Sequence, residues 1–151
     1  MTQRLNPYAL APELVAPLIE FSTIVQARLE PALAELVKIR ASQINGCAVC
    51  LDMHSKEARK KGETEERIIM LDAWRESPLF TAREKAALGW TEALTRLTET
   101  GAPDADYKAL EAQFTPEEQV NLSLMIAAIN SFNRLGVGFR VQPFVFSRKA
   151  A

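Results

Sequence analysis

Pro31-Ala-Leu-Ala-Glu35-Leu-Val-Lys38-Ile-Arg40-Ala-Ser-Gln-Ile-Asn45-Gly46-Cys47-Ala-Val49-Cys50-Leu-Asp-Met-His54 reads as two helices that meet at a glycine. Pro31 suits a first-turn position, where a missing N–H costs nothing. Apolar residues then recur at Leu33, Leu36, Val37 and Ile44, and Gly46 stops the run. If a second helix opens just after Gly46, Cys50 falls in its first turn and His54 lies one turn on, along the same face. This stretch holds both cysteines of the chain and its single histidine.

Outward from it, helix punctuation continues and strand signals are nearly absent. Thr81-Ala-Arg-Glu84 and Thr115-Pro-Glu-Glu118 are capping boxes, in which side chain and backbone satisfy each other's free donors. The first predicts a helix towards Thr100 with Gly101 beyond its end, the second a helix to about Arg134, before Gly136. Thr64 caps a shorter helix that ends before Pro78, and Asp104 to Gln113 makes another. Pro12 to about Arg28 is helical, with Pro17 kinking it or delaying its start. Asn45-Gly46 is the only hairpin-type pair, and no alternating run follows it. The expectation is an all-α bundle of about six or seven helices, one domain over residues 1–151.

The balance of the chain excludes several partners. A net charge of −1 with interleaved acidic and basic residues argues against nucleic acid or a membrane surface. Prolines and glutamates interrupt every apolar stretch near the start, so no leader is read there. Leu122 to Ile129 is shorter than the roughly 20 residues a span requires. The expected setting is soluble and cytoplasmic. Two segments, Ala32 to Ala41 and Val120 to Ile129, are apolar on nearly every side. They form a central core pair, or one face is covered by a second copy of the chain. The extent of Val120 to Ile129 predicts a homo-oligomer.

Two cysteines three positions apart close too small a loop to staple a fold. They point to redox chemistry or metal binding. At a helix N-terminus, unpaired N–H groups stabilise a thiolate at Cys50, and an imidazole at His54 supplies a base. With Cys47 at the cap, its backbone can leave helical angles and let the pair close. Glu35, set among Ala32, Leu36 and Ile39, is desolvated unless a cation or donor faces it. His54 is one candidate, and a salt bridge to Lys38 or Arg40, or plain exposure, is the alternative. Cys47, Cys50, His54 and Glu35 could also hold zinc, although everything lies within one short stretch and carboxylate is a minority ligand.

Glu35, eleven residues, Cys47-x-x-Cys50, three residues and His54 together resemble the alkylhydroperoxidase D (AhpD-like) family, within the wider carboxymuconolactone decarboxylase-like superfamily. Ser42-Gln-Ile-Asn-Gly-Cys47 and Asp52-Met-His54 are similar to its peroxidase-type members, and the likeness runs on through Ala73-Trp-Arg75 and Ala127-Ala-Ile-Asn130. The resemblance implies that Cys50 attacks a peroxide and becomes a sulfenic acid. Cys47 then acts as proton donor and resolving thiol, and Glu35 and His54 form a proton relay. It implies trimers or hexamers, no metal or organic cofactor, and recycling by a dithiol reductant of thioredoxin-like or lipoyl type. One departure is plain: the founding peroxidases carry a second histidine between the cysteines, where this chain has Val49. The other function class is a decarboxylase- or lactone-type enzyme whose cysteines are incidental.

The remaining features read as structure. Lys56, Arg59, Lys60 and Lys61 with Glu57 and Glu63 make a solvated face. Trp74 and Trp90 are core or interface anchors. Arg134 and Arg140 flank a glycine-rich bend, and Phe139, Phe144 and Phe146 pin the C-terminal segment.

Overall fold

A computed structural model describes residues 2–143, and Phe144 and Phe146 lie outside them. Among the described residues the chain is helical throughout: α1 Pro7–Leu10, α2 Pro12–Gln26, α3 Pro31–Asn45, α4 Ala48–Lys60, α5 Glu65–Met70, a 3-10 turn Leu71–Ala73, α6 Ala82–Thr95, α7 Leu97–Thr100, α8 Asp104–Glu111 and α9 Pro116–Phe139. Six of these helices have eight residues or more. Both capping boxes form as the sequence predicts, and the Thr64 side chain accepts the Arg67 N–H.

α3 is the axis. Every residue from Leu33 to Ser42 is buried, and the helix packs against α4, α6 and α9. It divides the core in two. Leu33, Ala34 and Val37 join α6 and α9 on one side, while Leu36 and Ile39 meet Leu71, Trp74, Phe80 and Leu88 on the other. Both tryptophans are core anchors, each with its indole N–H satisfied: Trp74 donates to Glu92 and Trp90 to Ser123.

Three expectations need correction. The helix from Thr81 does not reach Thr100 unbroken. It ends at Thr95, and the Thr100 hydroxyl folds back to donate to the free Ala93 carbonyl at 2.7 Å. α9 does not stop before Gly136 but continues to Phe139, so there is no glycine-rich bend between Arg134 and Arg140. Arg134 instead donates to the Asn130 carbonyl of its own helix. Of the two effects expected of Pro17, a delayed start is excluded, since α2 begins at Pro12.

The unpaired apolar surface is also distributed differently. α3 is buried on all sides, but α9 buries only one face and leaves Val120 and Leu124 exposed. α2 shows more: Leu14, Ile19, Phe21 and Ile24 are all open. By length and composition alone the 24-residue α9 could cross a membrane, but its most apolar stretch, with a mean hydropathy of 1.2, is 44% buried inside the protein.

Candidate active site

Gly46 ends α3 in the left-handed region (φ 67°), a conformation without penalty for glycine. The turn brings the Cys47 N–H onto the Ser42 carbonyl at 3.0 Å and leaves Cys47 extended (φ −85°, ψ 96°) as the cap of α4. Cys50 is the third residue of that helix, and the two cysteines form a disulfide with Cα atoms 5.3 Å apart. The cap position therefore does what the spacing requires. Cys47 departs from helical angles while Cys50 keeps them, so the sulfurs meet over the first turn, where backbone donors lack helical partners.

The two sulfurs differ in access. Cys47 is fully buried, whereas Cys50 lines a cavity of about 590 Å³ together with Val49, Met53, His54, Ile129 and Phe132. Opposite walls come from α2 and from the two segments flanking the bundle, including Tyr8 and Gln142. The N-terminal segment is tied there by the Arg4 N–H, which donates to the Phe139 carbonyl at 2.9 Å. A second cleft of about 440 Å³, beside Trp74, Lys85 and Gly89, contains none of the four expected site residues.

His54 sits one turn beyond Cys50 and is 8% exposed, with its Nδ1 3.0 Å from Glu35 Oε2. Burial pushes the His54 pKa down. The Glu35 hydrogen bond acts against this, and the positive charge of Lys38 reinforces it. The ring is thus neutral at pH 7. With the Nδ1 proton donated to the carboxylate, Nε2 is left as an acceptor.

Glu35 is 1% exposed, and its two oxygens are shared out. Oε2 takes His54, while Oε1 accepts from Lys38 Nζ at 2.7 Å and Lys61 Nζ at 2.5 Å. Burial raises the carboxyl pKa, but hydrogen bonds from His54, Lys38 and Lys61 outweigh it and hold the value at about 2. Both readings of Glu35, histidine partner and lysine salt bridge, are therefore true at once. Arg40 is not a partner. It turns to Glu92 and Asp72.

Four residues of the site escaped the sequence reading. Lys38 was weighed only as a competitor for Glu35. Lys61 was placed on the solvated face of mixed charges, yet its ammonium reaches inward, because it caps α4 directly beside α3. Gln26 accepts from Lys38 at 2.5 Å. Gly136, taken for a helix stop, lies against the disulfide. A Cβ there would stand 2.6 Å from Cys47 Sγ and 3.2 Å from Val49 Cγ1. No local signal marks these roles, since each depends on which helix lies opposite. The zinc alternative meets a geometric obstacle. Glu35 spends both oxygens on nitrogen donors, and among the described residues no three His, Cys, Asp or Glu side chains gather into a metal-holding group.

The carboxymuconolactone decarboxylase family model matches residues 12–93, which include Glu35, Cys47, Cys50 and His54. The uncharacterized protein YdfG of Bacillus subtilis (strain 168) is 41% identical over 138 residues, covering 91% of this chain and 94% of its own length. A crystal structure of ATU0492 from Agrobacterium tumefaciens, a protein of unknown function provisionally described as the antioxidant defence protein AhpD, superposes with a TM-score of 0.92. It is 45% identical and covers 95% of this chain and 99% of its own. An uncharacterized peroxidase-related protein from Silicibacter sp. TM1040 shares the fold, with a TM-score of 0.79 at 21% identity over 90% of this chain and 73% of its own. On sequence and fold together, the chain belongs to the carboxymuconolactone decarboxylase family, on its AhpD-like side.

Proposed function

We propose that this protein is a peroxide-reducing dithiol oxidoreductase in which Cys50 is the nucleophile. The observation that carries the reading is the asymmetry of the pair: Cys50 opens onto the cavity it shares with His54, and Cys47 is sealed behind it. In the reduced protein, the free Nε2 of His54 takes the Cys50 proton, helped by the α4 N-terminus. The Cys50 thiolate attacks the outer oxygen of the hydroperoxide and the O–O bond breaks. Cys50 becomes a sulfenic acid, and the departing alkoxide leaves as alcohol with the proton held on His54. The Cys47 thiol then attacks the sulfenic sulfur, releasing water and forming the disulfide. An external dithiol of thioredoxin-like or lipoyl type returns both cysteines to thiols and is itself oxidised.

Val49, the place of the missing second histidine, is part of the apolar wall, so the relay works through one imidazole. Ile19, Met53, Ile129 and Phe132 favour an organic hydroperoxide over hydrogen peroxide as the better substrate. The exposed apolar residues of α2, more than those of α9, support assembly into a homo-oligomer, and the family resemblance makes a cytoplasmic trimer or hexamer the form to test. The reading is tested by counting thiols in the reduced protein before and after stoichiometric cumene hydroperoxide or hydrogen peroxide. Two thiols lost per peroxide consumed is the expected result. Thiols that survive the peroxide would overturn it and favour an enzyme of decarboxylase or lactone type with incidental cysteines.

A further inference from the structure

Glu35 divides its two oxygens between different kinds of donor, and the division has chemical content. Oε1 is taken up by two ammonium groups, Lys38 from the same helix and Lys61 from the far end of α4. That leaves Oε2 for His54 alone. Lys38 is 4% exposed and is itself held by Gln26 of α2, so the cluster links three helices. We propose that Lys38 and Lys61 are positioning residues for the thiol chemistry: they hold Glu35 on His54 Nδ1 and, by their charge, keep the imidazole unprotonated, with Nε2 free to accept the Cys50 proton. This rests on the reading of His54 as the base for Cys50.

The charges in the cluster give the reason. With Glu35 ionised and His54 neutral, the two lysines leave one positive charge in excess beside the cavity. Protonating His54 would add a second in a buried place, whereas ionising Cys50 cancels the first. A carboxylate facing a single imidazole would do the reverse and draw a proton onto the ring. Burial is the largest influence holding the ring's pKa down, and the charges of Lys38 and Lys61 add to it in the same direction. Other groups near the ring do not supply this charge. α2 and α9 present neutral side chains to the cavity, among them Gln26 and Phe132. Tyr8 stays protonated because burial raises its pKa, and Glu57, partly buried within electrostatic reach of Lys38 and Lys61, has its charge balanced by its pair with Lys60.

Because the chain has a single histidine, its imidazole can be titrated without ambiguity by ¹⁵N-resolved NMR on the full-length oxidised protein. The wild type is expected to show the Nδ1–H tautomer and a midpoint below the ordinary histidine value. Lys61→Met and Lys38→Met should each raise that midpoint by about one pH unit, and Lys61→Arg should restore it. Lys61 is a quarter exposed, so its variant keeps the test available if the buried Lys38→Met fails to fold. A folded Lys61→Met protein whose midpoint stays put or falls overturns the role of Lys61, and Lys38→Met does the same for Lys38. An Nε2–H tautomer in the wild type overturns both. The titration needs no peroxide, so a protein inert to peroxide would defeat the proposed function while leaving this result standing.

Discussion

Glu35 and Glu92 are both buried carboxylates on helices of the same core, and they keep opposite company. Glu92 accepts from Trp74 Nε1 at 2.8 Å, Arg40 Nε at 2.8 Å and Arg75 at 2.6 Å. Indole and guanidinium groups do not release protons at any pH the protein meets, so this cluster is fixed in charge. Burial raises the Glu92 pKa, but these donors more than reverse it and the carboxyl stays ionised. Glu35 is held as firmly, yet one of its partners is an imidazole on a cavity wall beside a cysteine. Burial and a displaced pKa are common to both sites. What separates them is a partner able to pass a proton on, and a space in which a second molecule can receive it.

The comparison breaks most sharply at the cysteines. Cys50→Ser should abolish peroxide consumption, while Cys47→Ser should leave a sulfenic acid on Cys50 that dimedone traps. Dimedone on Cys47 in the Cys50→Ser protein, with none on Cys50 in the other variant, would exchange the two roles. Next come the relay partners. His54→Ala and Glu35→Gln should each slow Cys50 oxidation by about 10²–10⁴-fold. The double variant should be scarcely slower than the worse single one, as expected when two residues act as a unit. Multiplying losses would show that they act independently.

Glu92 should answer in the other currency. Glu92→Gln leaves the buried Arg40 with Asp72 as its remaining anion and should lower stability by about 1–3 kcal/mol, read by denaturant unfolding, with the rate per folded molecule little changed. A folded Glu92→Gln protein that has lost its rate would erase the distinction between the two carboxylates. Gly136→Ala adds a methyl against Cys47 Sγ and Val49, an overpacking expected to cost the oxidised protein about 1–3 kcal/mol. A further effect is in acid. The folded Glu35 pKa of about 2 lies below its ordinary 4.5, so the unfolded chain takes up the proton first. The stabilisation is complete above about pH 4.5 and is lost as pH falls towards 2, with a slope of at most about 1.4 kcal/mol per pH unit. Glu35→Gln should flatten that part of the stability curve.

How much of this was legible depended on whether the governing contact is local. The capping boxes at Thr81 and Thr115, the stop at Gly46 and the placement of Cys50 and His54 on one helical face all follow from neighbours within a turn or so. Glu35 was legible as a desolvated carboxylate because the residues around it are apolar. Gly136 was not, because a glycine near a helix end and a glycine beneath a disulfide look the same until the opposing helix is known. Lys61 was hidden by its setting in a run of charges, most of which do face water. The exposed side of α2 carries no mark in the sequence for a related reason. Its apolar content resembles that of a buried helix, and only the packing shows that Leu14, Ile19, Phe21 and Ile24 have nothing over them within one chain.

The cavity wall has a consequence for synthesis. Asn6 and Tyr8 share it with Val141 and Gln142, and α9 supplies both Phe132 for the wall and Gly136 for the floor behind the sulfurs. Cys47 and Cys50, by contrast, lie three residues apart and can find each other as soon as α4 has left the ribosome. A growing chain therefore carries its reactive sulfur pair before it has the chamber that selects what reaches it. During that interval the pair is open to any small oxidant, and under the proposed function a disulfide closed that early would have to be reduced before the finished protein could turn over.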